Sequence, residues 1–256
     1  MSLHVHLVPS LAGAGAGSSV TVEGPEAHHA VAVRRLTVGQ PVVLTDGGGT
    51  VAECEVSETG RQRLVAVVRS VASVPRPEPE LIVVQALPKG DRGELAVETL
   101  TEVGVARIVP WAASRSVAVW RGDRAAKSLA KWQSSAREAA KQARRAWFPE
   151  VLPMASTEAV AELLASASLA VVLHEEGADS LAGAEVPYVG PLVLVVGPEG
   201  GLTAEEVATF AEAGAHIVRL GVEVLRTSTA GVAAAAALLA RTERWGASPR
   251  EAAPPG

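Results

Sequence analysis

The sequence predicts an α/β chain in which a mostly parallel sheet flanked by helices follows a small all-β barrel. Three observations carry this. Residues 1–73 are short Val-rich runs broken by turn signals, the spacing of a small barrel. Residues 74–80, Val-Pro-Arg-Pro-Glu-Pro-Glu, place three prolines in alternation, which neither a helix nor a central strand can continue. From Leu81 onward, apolar runs without polar alternation take turns with helical segments, as expected for strands buried on both faces. The boundaries are therefore 1–73 for the barrel, 74–80 for a stiff linker, 81–245 for the α/β domain, and 246–256 for a Pro/Ala-rich tail expected to be disordered.

In the barrel, Pro41–Leu44 and Leu64–Val68 read as strands, and Asp46-Gly47-Gly48-Gly49 as a hairpin turn because glycine tolerates positive φ. One helix is expected over Pro25–Leu36, with Ala27, Ala30, Val31 and Val33 facing inward. In the α/β domain, strands are expected at Leu81–Gln85, Ala106–Pro110, Leu169–Leu173, Leu192–Gly197 and His216–Leu220. Helices are expected at Gly93–Gly104, Arg124–Ala146, Thr157–Ala165, Thr203–Ala213 and Thr229–Trp245.

Composition narrows the function. The chain is 48% hydrophobic, enough for a packed core, and its net charge of −5 argues against general nucleic-acid binding, so any basic residues must cluster to matter. The lone cysteine, Cys54, builds neither a disulfide framework nor a cysteine zinc site and reads as a small buried hydrophobe. Met1–Ser10 has no signal-peptide pattern. The longest apolar stretch, Val232–Ala240, is far short of the ~18–20 residues of a membrane span. A cytoplasmic protein is expected.

The chemistry concentrates at strand ends, where open α/β sheets bind ligands. Leu192–Val196 runs into Gly197-Pro198-Glu199-Gly200-Gly201, and Thr203 with Glu206 forms a capping box that opens a helix. This is neither a dinucleotide fingerprint nor a phosphate loop, and Pro198 and Glu199 disfavour an anion, so a ligand here is neutral or cationic. On spacing alone a tight turn explains the motif as well. Leu220-Gly221-Val-Glu-Val-Leu225-Arg226-Thr227-Ser228-Thr229-Ala230 follows another strand, with Arg226 set among apolar and hydroxyl groups before an alanine-rich helix. His174-Glu175-Glu176 follows a third strand. Pro88-Lys89-Gly90-Asp91-Arg92 follows a fourth, where Lys89 and Arg92 can meet phosphate. The long helix carries the basic cluster: between Arg121 and Arg145 there are eight basic and two acidic residues. Arg124, Lys127, Lys131, Arg137, Lys141, Arg144 and Arg145 share one broad face opposite Leu129, Trp132, Ala136, Ala139, Ala143 and Trp147. Such a stripe on an acidic chain is an electrostatic footprint for RNA, although a solvated helix face has the same pattern. Arg34 and Arg35, near His28-His29, form a smaller basic cluster; adjacent histidines do not share a helix face, so no metal is expected.

Taken together, Leu194–Glu206, Leu220–Ala230 and Gln85–Arg92 resemble the bacterial 16S rRNA (uracil-N3)-methyltransferases of the SPOUT superfamily. Thr101–Val105, Arg107–Pro110, Ser114-Arg115-Ser116, Glu138–Gln142 and His28–Leu36 add to the resemblance, which runs over most of residues 4–245. It implies an α/β trefoil-knot domain with a small N-terminal PUA-like β-barrel, a homodimer, and S-adenosylmethionine as cofactor. The substrate would be 16S rRNA or the 30S subunit, with no membrane and no metal. The cofactor contacts it implies are Leu173, His174, Glu175, Gly197, Glu199, Gly200, Gly201, Leu220, Gly221, Leu225, Arg226, Thr227, Thr229 and Ala230. Arg226 would stabilise the uracil anion, with Glu199 and His174 as candidates for the base. Ser228 and Thr99 depart from residues common in the family, Glu and Lys respectively. The competing reading is a non-enzymatic RNA-binding ribosome assembly factor built from the same barrel and basic helix.

Overall fold

The computed structural model describes residues 3–246. They form two units: the described residues up to Arg76 with Arg137–Phe148, and Pro77–Ala136 with the described residues from Pro149.

The first unit contains β1 (Val5–Leu7), β2 (Ser19–Glu23), α1 (Gly24–His28) continued by a π-helical turn (His29–Val33), β3 (Pro41–Thr45), β4 (Thr50–Thr59) and β5 (Arg63–Ser73). The sheet order is β1-β3-β4-β5-β2, antiparallel except for β1 with β3. Register shifts between Glu53/Cys54 and Val56/Glu58 mark irregularities of the kind that bend a strand pair. Val42, Leu44, Ala52, Cys54, Leu64 and Ala66 fill one core with Ala27 and Ala30. Burial, helped by Glu53, pushes the Cys54 thiol up to about 11, so it remains an unreactive hydrophobe. Val33, expected inward, is 59% exposed, because the wider π turn carries later residues off the 3.6-residue spacing.

The second unit contains β6 (Glu80–Ala86), α2 (Arg92–Val103), β7 (Arg107–Trp111), the first part of α3 (Asp123–Gln142), β8 (Glu150–Val151), α4 (Thr157–Ala165), β9 (Leu169–Leu173), β10 (Asp179–Ser180), β11 (Pro191–Val196), α5 (Ala204–Glu212), β12 (His216–Arg219), α6 (Thr227–Leu239) and α7 (Glu243–Gly246). Its seven strands are all parallel, in the order β10-β12-β9-β11-β6-β7-β8. Both faces are covered, which is why the strands read as unbroken apolar runs. Leu81, Val83, Leu192 and Leu194 pack with α2, α3 and α6 residues such as Leu100, Trp132 and Leu238. Ile82, Val84, Val193 and Val195 pack with Val160, Leu164 and Phe210 from α4 and α5. The expected last helix is two pieces. The Thr242 hydroxyl donates to the Leu239 carbonyl, and Arg244 donates to the carbonyls of Pro79 and Gly104.

The long helix, expected to reach Ala146, stops at Gln142, and Arg144 takes a left-handed φ of 53°. The chain beyond it belongs to the first unit for identifiable reasons. The Gly49 amide donates to the Ala146 carbonyl at 3.0 Å, and the Phe148 amide donates to the Gly47 carbonyl at 2.9 Å. The Trp147 indole donates to the Val74 carbonyl at 2.8 Å and lies so close to Gly49 that a Cβ there would sit 2.5 Å from the ring. No helix among the described residues is long and apolar enough to cross a membrane. The tail expected to be disordered, 246–256, lies outside the described residues except for Gly246.

Candidate active site

β12, β9, β11 and β6 are consecutive neighbours in the second sheet, so their carboxyl ends lie side by side. Four loops leave from these ends, at 87–91, 174–178, 197–203 and 220–226. A cavity of about 630 Å³ opens there, within the size range of small-molecule sites. It is lined by Leu173, His174, Glu175, Gly197, Glu199, Gly200, Gly201, Leu220, Gly221, Leu225, Arg226, Thr227 and Ala230, which are among the cofactor contacts that the family resemblance implies. Thr229, nominated with them, is not among the lining residues: it lies in the first turn of α6, where its hydroxyl donates to the Arg226 carbonyl. Ser228 is buried at 3% exposure, and the Thr99 hydroxyl donates to carbonyls of its own helix.

The glycine loop is a turn, closed by the Gly201 amide on the Pro198 carbonyl at 3.0 Å, and it is also a wall of the cavity. Thr203 and Glu206 form the reciprocal capping box that ends it. The Glu199 carboxylate accepts the Lys89 amide at 3.2 Å and lies 3.9 Å from Arg92, which ties the loop to the end of β6. Glu199 is thus a strut between two strand ends. In the 220–226 segment, no amide from Gly221 to Arg226 donates to a protein group among the described residues. Polar backbone left without internal partners must meet water or a ligand. Arg226 ends this stretch as the N-cap of α6, its carbonyl accepting the amides of Thr229 and Ala230. Its guanidinium is paired with no carboxylate among the described residues. An unpaired cation beside a helix N-terminus favours negative charge next to Arg226, while Glu175, Glu176 and Glu223 favour positive charge elsewhere in the cavity.

The His174 loop is pressed onto β12. The His174 amide donates to the Val218 carbonyl at 2.9 Å, and a Cβ on Gly177 would lie 2.5 Å from the Val218 carbonyl carbon. The contact is with backbone, so it cannot be relieved by a rotamer change. Gly177→Ala is therefore expected to cost about 1–3 kcal/mol by overpacking and to lower the melting temperature, measured by differential scanning fluorimetry. An unchanged melting temperature would show that the loop moves freely.

Several lining residues escaped the sequence reading. Arg115 reaches the cavity from the end of β7, and Arg219, Val222 and Glu223 line it from the far side. Arg115 had a signal, since it sits in Ser114-Arg115-Ser116, a strand-end tripeptide noted only as part of a resemblance. Val222 and Val224, 96% and 79% exposed, had none.

The nominated RNA contacts scatter. Lys89 and Arg92 stand at the end of β6, with Arg92 close to Glu199. In the second unit's part of α3, Arg124 and Lys127 are exposed, and Lys131 is exposed but paired with Glu94 at 2.6 Å. In the first unit, Arg34, Arg35, Arg137 and Arg144 are exposed and Arg145 is half-buried. Lys141 leaves the exposed face: its side chain is 8% exposed, and its ammonium is held at 2.9 Å by Glu26 and at 2.8 Å by Glu138. The carboxylate of Glu26 is what lets a lysine sit inside. One grouping among the described residues has ligating atoms close enough for a metal: those of His6, Glu26 and His29 lie within 4.8 Å of one another. Its carboxylate already binds the His6 ring at 2.8 Å and Lys141, and burial together with the charges of Lys141 and Arg34 holds His29 below its usual pKa. That is a neutralised buried network, and we read it as structural.

Comparison with known proteins agrees with this geometry. An RNA methyltransferase domain matches residues 75–239, and an RNA methyltransferase PUA domain matches residues 22–69. The chain is 44% identical to the ribosomal RNA small subunit methyltransferase E of Mycobacterium tuberculosis, over 91% of the chain and 90% of the relative. It is 31% identical to that of Bacillus subtilis, over 87% and 90%. Among solved structures, the ribosomal RNA small subunit methyltransferase E of Neisseria gonorrhoeae, bound to S-adenosylmethionine, superposes with a TM-score of 0.83 at 28% identity, covering 93% of this chain and 98% of that one.

Proposed function

Since the chain belongs to the RNA methyltransferase family, with the SPOUT trefoil-knot fold and a PUA-like N-terminal domain, we propose that it methylates N3 of one uridine in 16S rRNA, using S-adenosylmethionine. The observation that carries this is the cavity at the ends of β9, β11 and β12. Three sequence motifs converge on it, and Arg219 and Arg226, paired with no carboxylate among the described residues, line it.

The cavity's donor set suits the cofactor. Leu173, Leu220 and Leu225 offer apolar surface, Glu175 and Glu223 offer carboxylates for cationic groups, and Arg219 and Arg226 offer cations for a carboxylate. The free amides of 221–226 and of Glu199 and Gly200 are suited to reading the polar edges of an adenine and a ribose. Thr227 and Ala230 complete the lining, while the Thr229 hydroxyl is turned back onto the Arg226 carbonyl. When bound, S-adenosylmethionine supplies an electrophilic methyl group.

The uridine N3 carries a proton, and its lone pair is usable only once that proton has left. The residues must therefore stabilise a uracil anion and hold it in line with the methyl carbon. Arg226 is the residue for the first task, because its guanidinium is unpaired and stands at the cavity. Glu199 suits the role of base poorly, since its carboxylate is engaged with Lys89 and Arg92. His174 also suits it poorly: Nδ1, its lone-pair nitrogen, accepts the Glu176 amide at 3.1 Å, and Nε2 then carries the proton and can only donate. N3 lies on the pairing edge, so the target base must be unpaired or flipped out. Lys89, Arg92, Arg124, Lys127 and Arg137 are the proposed phosphate contacts, with Arg34, Arg35, Arg144 and Arg145. The proposed assembly is a homodimer acting in the cytoplasm on 16S rRNA within the 30S subunit.

Two measurements test this. S-adenosylmethionine at a hundredfold excess over its Kd is expected to stabilise the protein by about 2.7 kcal/mol, read as a rise in melting temperature. Mass mapping of 16S rRNA from cells with and without the protein is expected to show the loss of one N3-methyluridine. Unchanged rRNA and no cofactor binding would leave an RNA-binding assembly factor instead.

A further inference from the structure

We propose that Arg115 is a positioning residue that holds the glycine loop in its cofactor-binding shape, an inference that rests on the S-adenosylmethionine reading above. Arg115 is exposed at the cavity rim, and a single guanidinium nitrogen, Nη1, donates to two loop carbonyls, Gly200 at 3.2 Å and Leu202 at 3.2 Å. These carbonyls bracket Gly201, which adopts a left-handed φ of 71° and closes the turn on Pro198. A peptide unit is planar, so holding the Gly200 and Leu202 carbonyls also holds the Gly201 and Thr203 amides, which donate to Pro198 and Glu206 and close the turn. With Gly200 and Leu202 both held, the loop has one orientation. Within the turn held in this way, the Glu199 and Gly200 amides donate to no protein group among the described residues and are left for a ligand.

The clamp is itself anchored. The Ser114 amide donates to Glu206 Oε1 at 2.8 Å, while Glu206 Oε2 accepts the Thr203 amide at 2.9 Å. Glu206 is only 3% exposed, so one buried carboxylate joins the Ser114-Arg115 segment to the end of the glycine loop. The contact is close as well as polar. A Cβ on Gly200 would lie 3.0 Å from Arg115 Cβ and 3.1 Å from the Arg115 carbonyl oxygen. Glycine at 200 therefore serves the approach of Arg115 to the loop as well as the approach of a ligand. Among the described residues, Arg115 is the charged side chain that donates to the loop carbonyls, and the Glu199 side chain is drawn to the end of β6. The loop is held from two neighbouring strands, by Arg115 from the β7 end and by Glu199 toward the β6 end.

Arg115→Met keeps the bulk of the stem and removes the donor. Arg115→Lys restores one cation on a shorter reach. In the full-length protein, isothermal titration with S-adenosylmethionine is expected to give a Kd about tenfold or more higher for Arg115→Met, the size of a lost charged hydrogen-bond pair, with Arg115→Lys in between. KM for S-adenosylmethionine should rise in parallel, KM for 30S subunits should stay within about twofold, and the melting temperature without ligand should stay unchanged, because the side chain is exposed. Gly200→Ala, which pushes the same contact apart, should reproduce the cofactor defect. Three results overturn the proposal. One is a higher KM for 30S subunits with an unaltered cofactor Kd, which would make Arg115 an RNA contact. Another is a lower kcat with both KM values unaltered, which would place it in the chemistry. The third is no change in any of these. Wild-type protein that fails to bind S-adenosylmethionine would remove the premise and this proposal with it, whereas binding by the wild type and the variant alike overturns only the role of Arg115.

Discussion

Arg226→Ala is expected to lower the rate of 30S methylation by about 10²–10³-fold while weakening S-adenosylmethionine binding far less. The expectation follows from three features of the residue. It stands at the cavity, its guanidinium has no carboxylate partner among the described residues, and its backbone caps α6, so helix amides and side chain act on the same region. Removing a donor aimed at developing charge costs transition-state stabilisation specifically, which appears in kcat more than in KM. The backbone of Arg226 supplies the α6 cap through its carbonyl, which alanine retains, so the helix start should survive. Arg226→Lys separates charge from shape: partial activity would mean that a positive charge suffices, and none would mean that the planar fork is required. The measurement is single-turnover methylation at saturating cofactor and RNA. Full activity in Arg226→Ala would remove the residue from the chemistry, and a defect confined to cofactor Kd would reassign it to binding.

Legibility in the sequence followed the range of the forces involved. The parallel strands were readable because burial on both faces demands continuous apolar runs, as in Leu192–Val196, and helix ends were readable where a local cap marks them, as at Thr203 and Glu206. The cavity was nearly complete in three motifs, since each loop leaves a strand at its carboxyl end. What escaped was set by distant contacts. The helix at 123–142 ends early and the chain after it joins the first unit because Trp147 meets Gly49 and Phe148 meets Gly47, pairings of residues far apart in the chain. Lys141 sits at a position the helical wheel assigns to solvent, and only the carboxylate of Glu26, 115 residues away in the chain, explains its burial. The β8 and β10 strands, two residues each, are too short to carry a period. Val33 fails for the opposite reason, since a π turn breaks a period that the sequence does show.

Glu26→Gln is expected to cost the first unit about 3 kcal/mol or more at pH 7. Glu26 joins β1, α1 and the end of α3 within that unit. Its Oε1 accepts from His6 at 2.8 Å and its Oε2 from Lys141 at 2.9 Å, and those two side chains are 2% and 8% exposed. The amide cannot neutralise the buried ammonium. Glu138, the other partner of Lys141, is 59% exposed and offsets little. The same network predicts a pH dependence. Burial alone would raise the carboxyl's pKa, but the hydrogen bonds from His6 and Lys141 and the lysine charge outweigh it and hold Glu26 at about 2, below its ordinary 4.5. A carboxyl with a depressed folded-state pKa stabilises fully above its unfolded value, and that contribution is lost as pH falls through the folded one. Wild-type stability should therefore drop between about pH 5 and pH 2, by an amount on the order of 3 kcal/mol from this group. Glu26→Gln should lack that part of the slope. Because the chain has two units, the measurement is hydrogen exchange of β3 and β4 amides at several pH values, which follows the first unit alone. Replacing both partners, Glu26→Gln with Lys141→Met, should recover much of the loss, since an absent charge needs no partner. Equal protection in wild type and Glu26→Gln at pH 7 would mean that the buried pair contributes nothing to the fold.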